Sequence, residues 1–298
     1  MNLNTILYFT FYLALLFPSL ATATPLPKGD FLKTLSQRQS KKKMTVWIRA
    51  WGETVQPKLV PYLQKLIHDH EPWLDLQVLI ATNDNDPILT DPLLQQMIEE
   101  KQVEIVLSNL HVISEPIQDL AKRTQHNTDA VILVSVGVEV QPAQAIEALG
   151  WIKCGAWAHG WQIDLMKNDG SQAGKGWYNT AVMFSPRFLH LLQDKGMPHW
   201  VDNGVEGYLD IAGQHIPIGG AEEVPMMHMA LQIDPDAFFI LNRRRSVHME
   251  EKLGTGVTFE QKMLRKIAVT DFYLEKMHTS WDEISKHFFI ISPDDNIE

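Results

Sequence analysis

From Met44 onward, apolar and polar positions alternate in blocks that switch between a period of two and a helical period. Thr45-Val46-Trp47-Ile48-Arg49-Ala50 is a β-rich run that Gly52-Glu53 breaks. Leu59, Val60, Leu63, Leu66 and Ile67 recur at helical spacing and predict an amphipathic helix. Leu76–Ala81 predicts a second strand, closed by the polar turn Thr82-Asn83-Asp84-Asn85-Asp86-Pro87. A helix over Pro92–Glu100 and a strand over Val103–Leu107 follow, then a helix over Ile117–Arg123. Ala130-Val131-Ile132-Leu133-Val134 is the most apolar run, and its continuity suits a central strand covered on both faces. A helix over Ala143–Leu149 comes next. Repeated β-α-β units imply an α/β domain with a mixed, mainly parallel sheet flanked by helices.

After Gly150 the texture changes. Trp151, Trp157, Trp161 and Trp177 fall within 27 positions, interleaved with Gly155, Gly160, Gly170, Gly174 and Gly176. This predicts irregular strands and loops, with helices resuming at Pro186–Lys195 and again from Pro225, and a helical tail across Phe259–His287. The start of the chain differs again, since no charged residue precedes Lys28. The apolar run Ile6–Phe17, followed by Ala21-Thr22-Ala23, reads as a secretory signal peptide, with a membrane anchor as the alternative. The resulting division is a leader at 1–27, a basic linker at 28–43, a globular domain at 44–290 and an acidic tail at 291–298. A signal peptide implies the secretory pathway, lumenal or secreted; an anchor implies membrane association. Met44 is a natural alternative start.

Composition removes some function classes. Hydrophobic residues make up 45% and charged residues 21% of the 298, an ordinary globular balance. A net charge of −10 argues against nucleic acid as partner, because phosphate contacts need a basic face. The single cysteine, Cys154, leaves no disulfide framework and no Cys-rich zinc site.

The ordered pieces resemble the family 2 glycosyltransferases. Thr45–Glu53 is similar to that family's opening strand and "N-E" turn, with Gly52 in place of asparagine and Glu53 as the acidic residue. Asn83-Asp84-Asn85-Asp86 resembles the turn after the second strand, and Ser135-Val136-Gly137-Val138-Glu139-Val140-Gln141-Pro142 stands where relatives carry "D-x-D-x-x-x-x-P". Gly176–Ser185 resembles the acceptor-side strand, and Gly219-Gly220-Ala221-Glu222-Glu223-Val224-Pro225 the segment that opens a helix and provides the catalytic base. The resemblance spans about Met44 to Arg245 and implies a GT-A-like fold, that of nucleotide-diphospho-sugar transferases.

It also implies a chemistry. A glycosyl donor leaves a diphosphate whose growing negative charge must be neutralised, and inverting transfer needs a carboxylate to deprotonate the acceptor hydroxyl. By resemblance, Glu222 and Glu223 are the candidate bases, and Glu53, Asp84, Asp86 and Glu139 the donor-side acids. A divalent metal, Mn or Mg, is the implied cofactor; Glu139 and the late His248 are the residues left to hold it, because Ser135 and Gly137 replace two carboxylates. Trp157, Trp161, Trp177 and Asn179 are candidates for contact with the acceptor or sugar, while core packing is the competing reading of each tryptophan. Arg243-Arg244-Arg245 either neutralises a diphosphate or lies on a solvated face. The expected partners are a nucleotide-sugar donor and a glycan, lipid or protein acceptor. Two other classes stay open: a catalytically inert GT-A-like binding protein, and a secreted carbohydrate-binding or hydrolytic protein.

Overall fold

The strands predicted at Thr45, Leu76, Val103 and Ala130 all lie in one sheet. The structure is a computed structural model that describes residues 41–110, 112, 114–163, 181–204, 208–211, 214–217, 223–249 and 269–292. In chain order these form β1 (Lys42–Arg49), α1 (Gln56–His70), β2 (Leu74–Thr82), a 3-10 turn (Pro87–Thr90), α2 (Pro92–Glu99) and β3 (Glu104–Leu107). Then come α3 (Ser114–Arg123), β4 (Ala130–Val134), β5 (Val138–Glu139), α4 (Pro142–Lys153), β6 (Ala158–Ile163), β7 (Ala181–Phe184) and α5 (Pro186–Lys195). A 3-10 segment (His199–Gly204), β8 (Tyr208–Ile211), β9 (Gln214–Pro217), α6 (Glu223–Ile233), β10 (Phe239–Met249), α7 (Trp281–Ser285) and β11 (Phe288–Ile291) complete the set. Residues 269–276 are helical.

The sheet runs β11-β10-β6-β7-β4-β1-β2-β3, with β8 and β9 paired separately. Along this path only β7 is antiparallel to its neighbours. The chain steps outward from β1 through β2 to β3, then crosses back to place β4 on the other side of β1. That reversal is a topological switch point, and in open α/β sheets a crevice opens there beyond the carboxyl ends of the strands.

Strand alternation builds a core on each face. Val46, Ile48, Ile132 and Val134 join α1, α2 and α4 on one side. Trp47, Leu79, Val131 and Leu133 join α3, α5 and α6 on the other. Every residue of β4 is buried, as its unbroken apolar run requires. Trp47 keeps its indole N–H satisfied by donating to Thr124 Oγ1 at 2.8 Å.

Some boundaries move. Lys42 and Lys43, read as linker, are the first rungs of β1 beside Leu74 and Asp75. Ile291, read as tail, is the buried last residue of β11. The helix expected to stop at Leu149 continues through Gly150 and Trp151 to Lys153. An interior glycine costs a helix about 1 kcal/mol relative to alanine. Here the reciprocal Gln141–Gln144 capping box and the buried Ala145, Ala148, Leu149 and Ile152 outweigh that cost. The turn out of α4 falls at Gly155, whose φ of +101° a side chain would resist. Among the described residues no helix is long and apolar enough to cross a membrane. The leader lies outside the described residues, as do Trp177, Asn179, Gly219-Gly220 and Glu222.

Candidate functional site

The turns after β1, β2 and β4 meet at the C-terminal edge of the sheet, around the switch point. The turn after β1 is Trp51-Gly52-Glu53. Gly52 has φ +83°, a conformation a side chain disfavours, and its amide donates to both carboxylate oxygens of Asp86 at 3.1 Å. Asp86 Oδ1 also accepts from Ile88 N at 3.1 Å and so caps the 3-10 turn Pro87–Thr90. One buried carboxylate thus ties the first two strand ends together. Asn83 Oδ1 extends the tie by accepting from Leu110 N at 2.9 Å, beyond β3.

This geometry corrects the part expected of Asp86. Its lone pairs are directed at backbone amides, so it frames the edge and is not presented to a donor. Asp84, two residues earlier, is exposed at the tip of the turn beside Asn85, whose φ is +61°. Glu53 is exposed one residue past Gly52. These two acids face solvent at the edge where the sequence placed them.

The segment after β4 diverges further from the resemblance. Ser135 O accepts from Val138 N at 3.0 Å around Gly137, at φ +86°, at the turn where the resemblance led carboxylates to be expected. Glu139 follows in β5, and its register partner in β10 is His248. Backbone pairing therefore brings the two proposed metal residues opposite each other across a long sequence gap, although the side chain of His248 lies outside the described set. Glu139 is ion-paired with Lys65 of α1, and this contact raises the Lys65 pKa. Tyr62 Oη donates to Val138 O at 2.9 Å, and burial together with the Glu139 charge pushes its pKa far upward. Among the described residues no group of three or more His, Cys, Asp or Glu could hold a metal ion. A hard divalent cation takes about six oxygens, several of which water and a substrate's phosphates supply. At this turn the described carboxylate is Glu139, already matched by Lys65.

Beneath this segment, between α1 and the sheet, lies a cavity of about 30 Å³. Ligand pockets run from roughly 300 Å³ upward, so this space suits a water molecule and not a nucleotide.

The tryptophans sort by burial. Trp157 and Trp161 are 4% and 1% exposed. Trp157 donates its indole N–H to Asp234 Oδ2 at 3.0 Å, stands edge-on to Phe188, and carries the Arg187 guanidinium over its ring. Trp161 packs edge-on against His159 with ring centroids 4.7 Å apart. Both belong to the core, and neither offers a free ring face to a sugar, contrary to the acceptor-side expectation. The tryptophan exposed at this edge is Trp51, 51% accessible at the end of β1. Sequence reading passed over it, although an aromatic between a buried strand and a turn glycine is a usable signal.

Glu223 is the first residue of α6 and is buried. The far end of that helix is fixed by Asp234, which receives Trp157 Nε1, while Trp157 N donates to Phe238 O at 3.0 Å just ahead of β6 and β10.

No protein-family model matches the chain, and no curated protein matches it in sequence. Solved structures do. A mannosyltransferase from Pyrobaculum calidifontis, solved with GDP-Man and Mn2+, superimposes with a TM-score of 0.56 at 10% identity, over 84% of this chain and 71% of that one. The fold is GT-A-like. Glucosyl-3-phosphoglycerate synthase from Mycobacterium tuberculosis, solved with Mg2+ and UDP, gives a TM-score of 0.49 at 11% identity, over 87% of this chain and 86% of that one. The architecture rests on the mannosyltransferase superposition, and at 10% identity that leaves the activity to be argued from the site.

Proposed function

We propose that the protein is a glycosyltransferase that uses a nucleotide-diphospho-sugar donor. One observation carries this reading: the GT-A sheet order puts its switch point between β1 and β4, with Trp51-Gly52-Glu53 and Asp84 at the strand ends there. Trp51 offers an indole face for stacking a nucleobase or sugar, a contact worth roughly 1–3 kcal/mol. Glu223 is the proposed general base. An 11-residue α6 is about 16 Å long, comparable with the roughly 20 Å of β6. With its last turn pinned at the start of β6, a helix of this length laid along that strand would bring Glu223 toward the edge where an acceptor hydroxyl is proposed. Inversion through Glu223, with Glu222 beside it in sequence, completes the proposal.

A second reading, a GT-A-like binding protein without catalysis, draws on Ser135 and Gly137 in the turn after β4, where the resemblance led carboxylates to be expected, and on the Glu139–Lys65 pair. One experiment tests both. UDP- and GDP-sugars are titrated against thermal stability, with and without manganese, and donor turnover is followed in the same samples. Stabilisation with turnover supports the transferase. Stabilisation without turnover supports the binding protein, and no stabilisation by any nucleotide sugar overturns both.

A further inference from the structure

α1 links the two turns that flank the switch point. It grows directly out of the turn after β1, where Val55 N and Gln56 N donate to Gly52 O at 3.1 and 3.2 Å. Further along, its side chains take hold of the segment that leaves the turn after β4. Tyr62 Oη donates to Val138 O at 2.9 Å, and Lys65 is ion-paired with Glu139. The buried His70 ring interacts in turn with the backbone of Val140. One face of a single helix thus meets three consecutive residues of the chain, because positions three and four apart lie above one another along a helix.

The segment needs that support. Gly137, at φ +86°, reverses the chain, and β5 then runs for only two residues. Its ladder with β10 consists of Glu139 opposite His248 and Val138 opposite Met249. So short a ladder is marginal by itself. Val138 and Val140 are buried in the core that α1 covers, and burial of apolar surface is non-directional. Direction comes from the polar contacts: the Tyr62 hydroxyl sets the height of the Val138 carbonyl, and Lys65 draws the partly exposed Glu139 toward α1.

We propose that Tyr62 and Lys65 are positioning residues: by holding Val138 and Glu139 they fix the turn after β4 at the crevice, and so set its affinity for a nucleoside diphosphate. The inference rests on the nucleotide-sugar reading above. The same helix starts at Gly52, so the spacing between the two turns is built into one rigid element.

Amide exchange of the free full chain, with calorimetric titration by UDP and by GDP, tests this. Tyr62→Phe deletes one neutral hydrogen bond; exchange at Val138–Val140 is expected to quicken roughly 2- to 10-fold, with Ala130–Val134 unchanged. Tyr62→Phe combined with Lys65→Met is expected to weaken nucleotide binding roughly 5- to 50-fold. Lys65→Arg keeps the charge and is expected to bind as the unaltered chain does. Unchanged exchange at Val138–Val140 overturns the inference, and so does quicker exchange that extends through β4, which would mark the contacts as general stabilisers. Quicker local exchange with unchanged nucleotide affinity in the double variant overturns it and leaves the donor reading intact. Absence of nucleotide binding by the unaltered chain overturns it together with the donor reading.

Discussion

His159 sits in β6 with no solvent exposure, and neither ring nitrogen has a hydrogen-bond partner among the described residues. Ile240 and Met183 are its register neighbours on β10 and β7, and Trp161 packs against its ring. Burial lowers its pKa from 6.5 to about 3, so the native ring stays neutral across the mildly acid range. The unfolded chain takes up a proton there as pH falls through about 6.5, while the native chain does not until about 3. Stability is therefore lost progressively between those values. From pH 7.5 to pH 5 the loss attributable to this one group is about 2 kcal/mol, at 1.36 kcal/mol per pH unit below 6.5. Urea unfolding of the wild type and of His159→Leu at both pH values isolates the term. The leucine variant removes two unsatisfied buried atoms, so it is expected to gain about 1–3 kcal/mol at pH 7.5. It should also show a shallower pH dependence by about 2 kcal/mol. Parallel pH dependences for the two proteins would refute the reasoning, because they would mean His159 titrates normally in the native state.

Other predictions concern the edge. Asp86→Ala unties Gly52 and Ile88 and should destabilise the protein by about 1–3 kcal/mol in the same urea assay; an effect within error would show that the clamp is idle. Glu223→Gln should lower turnover by about 10²- to 10⁴-fold with donor affinity unchanged, read from kcat and from donor titration, and a loss confined to donor affinity would reassign the residue. Trp51→Ala should weaken nucleotide binding roughly 5- to 100-fold without changing the thermal midpoint; equal affinity would move the base or sugar elsewhere. Lys65→Met breaks an exposed ion pair and should change stability by no more than about 1 kcal/mol, so a larger loss in urea unfolding would mark the Glu139 pair as structural.

The elements of the first half were legible because their periods are strong and uninterrupted. Ala130–Val134 could be placed centrally from its pattern, since five apolar residues in a row between β-α-β units suit a strand covered on both faces. Strand order past β4 was not legible. The antiparallel insertion of β7 and the reach of β10 across to β5 depend on long-range pairing, which leaves no local periodicity. The tryptophan cluster shows why the site was harder than the fold. Aromatic density between Trp151 and Trp161 looks alike whether the rings line a groove or fill a core, and burial decided for the core at Trp157 and Trp161. Asp84 and Asp86 differ by two positions and in part played. Proline at position 87 sets up Asp86 as a cap, a local signal available in the sequence, whereas its bond to Gly52 needed the fold to bring the two turns together.

The central claim is that a nucleotide sugar binds at the switch point between β1 and β4. Hydrogen–deuterium exchange with and without saturating UDP- or GDP-sugar measures this most directly, because it reports on named backbone segments. The account predicts ligand-dependent protection at Trp51–Glu53 and Ser135–Gly137, with the α1 residues around the small cavity unaffected. Protection confined to α1, or no protection with any nucleotide sugar, would contradict it.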